Sequence, residues 1–164
     1  AAKGTDHYRP DTLKNLTVAL GAATNDGKPR KGMAMTRGML VAGNWKMHGV
    51  SSDLEAIERI AEQANAADDL AVALCLPATL IERATRAVGQ IKIGGQDVHQ
   101  AAKGAHTGDI SVAMLRDAGA VLVIVGHSER RADHGETDAD VRAKAQSALD
   151  GGLDVILWVG GSLG

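Results

Sequence analysis

The sequence predicts an α/β fold in which parallel strands alternate with helices. Five short aliphatic runs are separated by segments whose apolar residues recur at helical spacing. Aromatic residues make up only 2% of the chain, so aliphatic side chains have to form the core, as in parallel strands buried on both faces. Such alternation with right-handed crossovers fits two architectures, a doubly wound open sheet or part of a closed barrel.

The first four elements alternate in this way. The apolar run 40–43 ends at a glycine and predicts a strand. Residues 51–66 have a helical apolar period and predict a helix. The run 70–76 predicts a second strand, which Pro77 ends, and residues 79–89 predict a helix that ends at a glycine.

The alternation continues to the end of the sequence. Residues 91–95 predict a short strand, and a long polar segment separates it from the predicted helix 111–119. The run 120–126 is the most strongly aliphatic strand candidate. A helix over 137–152 and a fifth strand over 153–160 complete the pattern.

Residues 1–34 do not follow this pattern. One short helix is predicted around Asp11 to Gly21, and the turn-rich basic stretch after it has too few apolar residues for a core. We interpret residues 1–34 as an extension or a disordered linker, with a docking tail as the alternative. Residues 35–164 are the predicted folded domain.

Polar residues occur where two predicted strands end. Asn44 and Lys46 follow the first strand two residues apart, so their side chains project the same way, and His127 and Glu129 follow the fourth. Taken singly, Asn44 is a turn residue, Lys46 a solvated lysine and His127 a loop histidine. Because the carboxyl ends of parallel strands meet at one rim, an amide, a cation and an imidazole there predict a catalytic site.

Composition excludes several classes of partner. The formal net charge is −2, so no attraction to nucleic acid or to an anionic membrane is expected. Cys75 is the single cysteine and is expected in the core, which fits a reducing compartment. No run approaches the length of a membrane span and no leader opens the sequence, so a cytoplasmic location is expected.

Other functional motifs are not recognisable. The sequence has no phosphate-binding lysine loop and no nucleophile elbow, and "VGGSLG" is only a near match to a dinucleotide-binding motif. No metal or cofactor is expected, because no metal-ligand spacing connects the cysteine with the histidines His48, His99, His106 and His134.

Five motifs closely resemble the bacterial triosephosphate isomerase family. They are "GNWKMHG", "GGQDVH", "GAHTGDIS", "VIVGHSERR" and "HGETDADVRAKAQSALDGGLDVIL", and they run in order over residues 40–157. The resemblance implies a (β/α)8 TIM barrel that interconverts dihydroxyacetone phosphate and glyceraldehyde 3-phosphate in glycolysis and gluconeogenesis, without a cofactor and as a homodimer. Only strands one to five of that barrel are recognisable.

The resemblance also implies a role for individual residues. Asn44 and Lys46 match the substrate-binding pair, and Lys46 stabilises negative charge on the substrate. His127 matches the neutral electrophile that polarises the carbonyl, and Glu129 matches the carboxylate that supports Lys46. Thr107 matches the tip of a long third loop that reaches into the partner subunit.

Three features depart from the family pattern. The fold typically needs about 250 residues, and strands six to eight, with the family's catalytic glutamate, its lid and its phosphate cradle, are not recognisable. Trp158 and Gly161 stand where the family usually has cysteine and glutamate, and the tryptophan is expected to overpack the core. Residues 1–34 match nothing in the family.

These departures leave two functional hypotheses. The first is a triosephosphate isomerase whose 164 residues are inactive alone, because the base is missing; Glu129 and Glu136 are the only carboxylates near the rim that could replace it. The second is a catalytically dead partial barrel that acts as an assembly or phosphate-binding module.

Overall fold

The computed structural model describes residues 39–64, 70–89 and 91–159. The helix predicted near Asp11 to Gly21, the whole of residues 1–34 and Gly161 lie outside the described residues. The described part contains five strands, five α-helices and one 3-10 turn. In chain order they are β1 (Met39–Asn44), the 3-10 turn (Ser51–Asp53), α1 (Leu54–Ala64), β2 (Leu70–Cys75), α2 (Ala78–Ala87), β3 (Lys92–Gly95), α3 (Val112–Asp117), β4 (Leu122–Val125), α4 (Ser128–His134), α5 (Asp138–Asp150) and β5 (Asp154–Leu157).

The five strands form one parallel sheet in sequential order, β1-β2-β3-β4-β5. A doubly wound sheet reverses its strand order at a switch point, and this sheet has no reversal. Sequential order is the arrangement of a (β/α) barrel, so of the two architectures predicted from the sequence the barrel is confirmed. All carboxyl ends of the strands therefore lie at one edge.

Apolar side chains pack on both faces of the sheet. In β4, Val123 and Val125 join the large core beneath the helices, whereas Leu122 and Ile124 join a second cluster on the other face. All four are buried. The alternation follows from the two-residue period of a strand, and it confirms the predicted aliphatic core.

The predicted helices match the structure except at one place. The helices predicted over 51–66, 79–89, 111–119 and 137–152 are all present with bounds shifted by a few residues. The short helix α4 was not predicted, because six of its seven residues are polar and none is buried. Among the described residues, no helix combines the length and apolar character needed to cross a membrane.

Candidate active site

The carboxyl ends of β1 and β4 bring together polar residues predicted from the sequence, and the end of β3 adds one that was not predicted. Asn44 ends β1, Gln96 follows β3 and His127 follows β4 after one glycine. That glycine, Gly126, has a φ of +71°, and a Cβ built on it would lie 2.8 Å from a methyl of Val141. Only glycine therefore lets the chain turn from β4 onto the rim while α5 packs close beside it.

Lys46 and Glu129 form the ion pair that links two strand ends. Lys46 Nζ lies 2.7 Å from Glu129 Oε1, and both side chains are partly exposed. The hydrogen bond from Lys46 lowers the pKa of Glu129, so this carboxylate stays charged. Lys46 has a φ of 54°, the left-handed region that a non-glycine residue adopts at a cost of about 1–3 kcal/mol. Such strain is typical of residues held in place for function.

His127 is fixed in one tautomer by its position at the start of α4. Its Nδ1 accepts the backbone N–H of Glu129 at 3.2 Å, and its side chain is only 9% exposed. Because Nδ1 accepts this bond, the proton of a neutral ring is on Nε2. The arrangement leaves Nε2–H as the donor that can bond to a substrate oxygen.

Gln96 completes the rim, and the sequence interpretation missed it. Its Nε2 amide donates to Asn44 Oδ1 at 3.2 Å, to the carbonyl of Lys46 at 2.7 Å and to the carbonyl of Cys75 at 3.2 Å. Asn44 Oδ1 also accepts the backbone N–H of Lys46 at 3.0 Å. Gln96 therefore holds the turn that aims Lys46. Its place directly after a strand was the available signal.

A second polar cluster lies behind the rim. Lys144 Nζ donates to both oxygens of Asp97 at 2.9 Å and to Glu136 Oε1 at 2.5 Å. Arg130 Nη2 lies 2.9 Å from Asp97 Oδ2, and its Nε donates to Glu136 Oε1 at 2.6 Å. The side chains of Lys144 and Glu136 are only 9% and 6% exposed. Two carboxylates and two cations thus form a partly buried network.

This network removes Glu136 from the candidates for a base. Burial raises the pKa of Glu136, but the hydrogen bonds from Lys144 and Arg130 outweigh burial and lower it. Burial dominates at Asp97 and raises its pKa, although Lys144 and Arg130 oppose the change. Glu136 is a charged structural carboxylate that two cations occupy, so it is poorly placed to take a proton from a substrate.

Comparison with known proteins identifies the family. The family model described as triosephosphate isomerase matches residues 39–164. The chain belongs to the triosephosphate isomerase family. Curated triosephosphate isomerases of Ruegeria sp. (strain TM1040) and Caulobacter vibrioides are 55% and 50% identical over 124 and 127 residues, in each case 76% of this chain and 50% of the relative.

A solved triosephosphate isomerase has the same fold over the part that this chain covers. The crystal structure of triosephosphate isomerase from Bartonella henselae superposes with a TM-score of 0.70 at 45% identity, covering 76% of this chain and 52% of the other. The predicted partial barrel is thereby confirmed. The chain spans about half the length of the triosephosphate isomerases it matches.

Trp158 does not lie in the core, although the sequence led us to expect that it would overpack the core. It follows β5, is partly exposed and packs its ring against His127, with ring centroids 4.8 Å apart and a 40° tilt. Its backbone N–H bonds to the carbonyl of Val125 at 3.0 Å, as a continuation of the β4–β5 ladder. Within the described residues, Trp158 therefore lies at the rim and outside the two core clusters.

Thr107 lies apart from the other predicted site residues. It is exposed on the loop between β3 and α3, in a turn closed by the Asp109 N–H bond to the His106 carbonyl at 3.0 Å. Gly108, the third residue of that turn, has a φ of +93°. An exposed position is what the dimer-contact prediction requires, and the contact itself stays a prediction.

Proposed function

We propose that this chain supplies the substrate-binding and electrophilic residues of a triosephosphate isomerase. The reaction would interconvert dihydroxyacetone phosphate and D-glyceraldehyde 3-phosphate by moving a proton between neighbouring carbons. The observation that carries the proposal is the rim geometry, in which Lys46, Glu129 and the single donor of His127 meet at the ends of β1 and β4.

Each rim residue would have one role in this reaction. His127 Nε2–H would donate to the carbonyl oxygen and stabilise the negative charge that develops there. Lys46, held by Glu129, would bind the anionic substrate and stabilise the same charge. Asn44, oriented by Gln96, would position the substrate through its amide.

The base would come from sequence outside these 164 residues. Glu129 is paired with Lys46, and Glu136 is buried in the ionic network, so neither carboxylate is available for proton abstraction. The family resemblance implies a glutamate on a later strand. We therefore propose that residues 35–164 form the first five strands of the barrel, and that residues 1–34 are a separate extension.

Assembly and location complete the proposal. We propose a cytoplasmic homodimer in which the tip at Thr107 contacts the partner. The exposed position of Thr107 supports the contact. Cys75, a buried free thiol whose pKa burial raises to about 12, is compatible with a reducing compartment and is not a reactive nucleophile.

A complementation experiment tests the proposal. The purified chain is assayed for isomerase activity alone and after mixing with strands six to eight of the Ruegeria relative. We expect no turnover alone and measurable turnover in the mixture. Removing one donor to the developing negative charge typically lowers the rate about 10²–10³-fold, so His127→Ala and Lys46→Ala should each remove most of the recovered activity.

Matched controls separate chemistry from folding. His134→Ala and Lys92→Ala change the same residue types at positions outside the rim, on α4 and on the exposed side of β3, and should leave the recovered activity unchanged. Robust turnover by the chain alone would refute the missing base. No recovery, together with binding of glycerol 3-phosphate that needs Lys46, would favour the alternative of a phosphate-binding module without catalysis.

A further inference from the structure

An indole ring lies against the imidazole that the proposed reaction uses. The rings of Trp158 and His127 have centroids 4.8 Å apart, and their planes are tilted by 40°. Aromatic rings attract one another at centroid distances of about 4.5–7 Å. The cysteine that the family usually has at this position carries no ring and cannot make this contact. We propose that Trp158 is a positioning residue that holds His127 in the orientation in which Nε2–H faces the substrate, a role that rests on the proposed function.

The β4–β5 ladder places the two rings side by side. Val125 pairs with Leu157, and the N–H of Trp158 donates to the carbonyl of Val125 at 3.0 Å. Trp158 is therefore the first residue after the last strand pair, and the ladder holds its backbone. On β4, Gly126 and then His127 follow the same pair. The indole ring is carried by β5 and not by α4, which His127 begins, so it supports the imidazole from a second element.

The hydrogen bond at Nδ1 does not by itself fix the imidazole of His127. Nδ1 accepts the backbone N–H of Glu129 at 3.2 Å, near the long end of the ordinary range. The same nitrogen lies 3.6 Å from the carboxylate oxygen Oε2 of Glu129. A carboxylate favours a proton on Nδ1, whereas the backbone N–H requires Nδ1 without one. A small rotation of the ring would therefore exchange one partner for the other and move the proton from Nε2 to Nδ1.

The indole ring opposes this rotation. Turning the imidazole about its Cβ–Cγ bond brings its edge against the neighbouring indole, so the packed arrangement is favoured. Contacts between aromatic rings favour one arrangement by about 2- to 12-fold in population. Trp158 therefore increases the fraction of His127 that has its proton on Nε2. A donor that is already oriented stabilises the developing charge on the substrate without rearrangement during the reaction.

Two substitutions separate the flat ring from its apolar bulk. Trp158→Phe keeps an aromatic face, whereas Trp158→Leu keeps an apolar side chain without one. Leu157→Ala is the matched control, because Leu157 is the neighbouring residue on β5, its side chain leaves the opposite face of the strand and it is 51% exposed. All variants are made in the full 164-residue chain, and far-UV circular dichroism checks that each one folds.

NMR of the ring nitrogens measures the tautomer of His127 directly. Spectra are recorded at about pH 8, where histidine side chains are ordinarily neutral. The chain has six histidines, so the signals are assigned by their absence in His127→Gln. We expect one tautomer, with the proton on Nε2, in the wild type, Trp158→Phe and Leu157→Ala. In Trp158→Leu the two ring-nitrogen shifts should move toward each other, because the ratio of the tautomers falls by about 2- to 12-fold.

The spectra decide the proposal. A mixture of tautomers in Trp158→Leu, with one tautomer in Leu157→Ala, supports it. The wild-type tautomer in Trp158→Leu overturns it, and so does a mixture already present in the wild type. If Trp158→Leu does not fold, the wild type still provides a test, because nuclear Overhauser effects between the two rings have to be present, and their absence overturns the contact.

The complementation assay connects this position to the reaction. Trp158→Leu should lower kcat in proportion to the Nε2–H tautomer that the spectra show to be lost. KM should change little, because Lys46 still binds the substrate anion. An unchanged kcat despite the lost tautomer would overturn the positioning role. No turnover in any mixture would refute the proposed function and leave the NMR comparison intact, so the two failures are distinguishable.

Discussion

Lys144→Met tests the partly buried ionic network behind the rim. The lysine makes three hydrogen bonds to two carboxylates, and its own side chain is only 9% exposed. Without it, Asp97 and Glu136 share the single cation of Arg130, and Glu136 Oε2 already has no partner within the described residues. Removing one partner of a buried ion pair costs about 3–5 kcal/mol, and here it leaves two carboxylates with one cation between them.

Urea unfolding at one fixed protein concentration measures this loss. The dependence of unfolding free energy on urea is about 1–3 kcal/mol per molar for small proteins, so a loss of 3 kcal/mol lowers the midpoint by at least about 1 M. Lys92→Met is the matched control, since it removes an exposed ion pair to Asp154 with side chains 48% and 70% exposed. Such pairs contribute about 0–1 kcal/mol, and the midpoint should hardly move.

A double variant checks the reason for the loss. Lys144→Met combined with Glu136→Gln leaves one carboxylate, Asp97, for one cation, Arg130. The double variant should therefore be less destabilised than the sum of the two single variants, by about 0.5–3 kcal/mol. Equal urea midpoints for Lys144→Met and Lys92→Met, or strict additivity in the double variant, would refute the charge argument.

Three further predictions follow from the rim, the loop and α5. Lys46 lowers the pKa of Glu129, so the pair stabilises the fold at pH values above the ordinary glutamate pKa, and this stability is lost as the pH falls through the pKa of the folded state. A carbon-detected NMR titration should show the Glu129 pKa rise toward its ordinary value in Lys46→Met. An unchanged pKa would contradict the pairing. Thr107→Arg should lower the sedimentation coefficient by weakening self-association without changing the thermal midpoint of the dissociated chain, whereas identical sedimentation would remove the dimer proposal. Thr137→Ala should lower the unfolding free energy by about 1 kcal/mol, because the threonine hydroxyl accepts the N–H of Asp140 at the start of α5, and an unchanged urea midpoint would contradict that cap.

The sequence alone determined the alternation of strands and helices and the place of the candidate rim. Both depend on local periodicity: β4 is aliphatic at every position, and polar residues follow it after one glycine. Asn44, Lys46, His127 and Glu129 were predicted to share one rim because the ends of parallel strands have to meet there. The structure brings Lys46, His127 and Glu129 together, and it connects Asn44 to them through the turn at Lys46.

Only the tertiary structure decided which polar residues are buried and with whom. Lys144 has the sequence context of a solvated helix lysine, yet it is buried because Asp97, 47 residues away, faces it. Gln96 acts on Lys46 across 50 residues. The contact of Trp158 with His127 depends on the pairing of β5 with β4. Such contacts join residues that are distant in sequence, and a periodic pattern carries no information on distances across the fold.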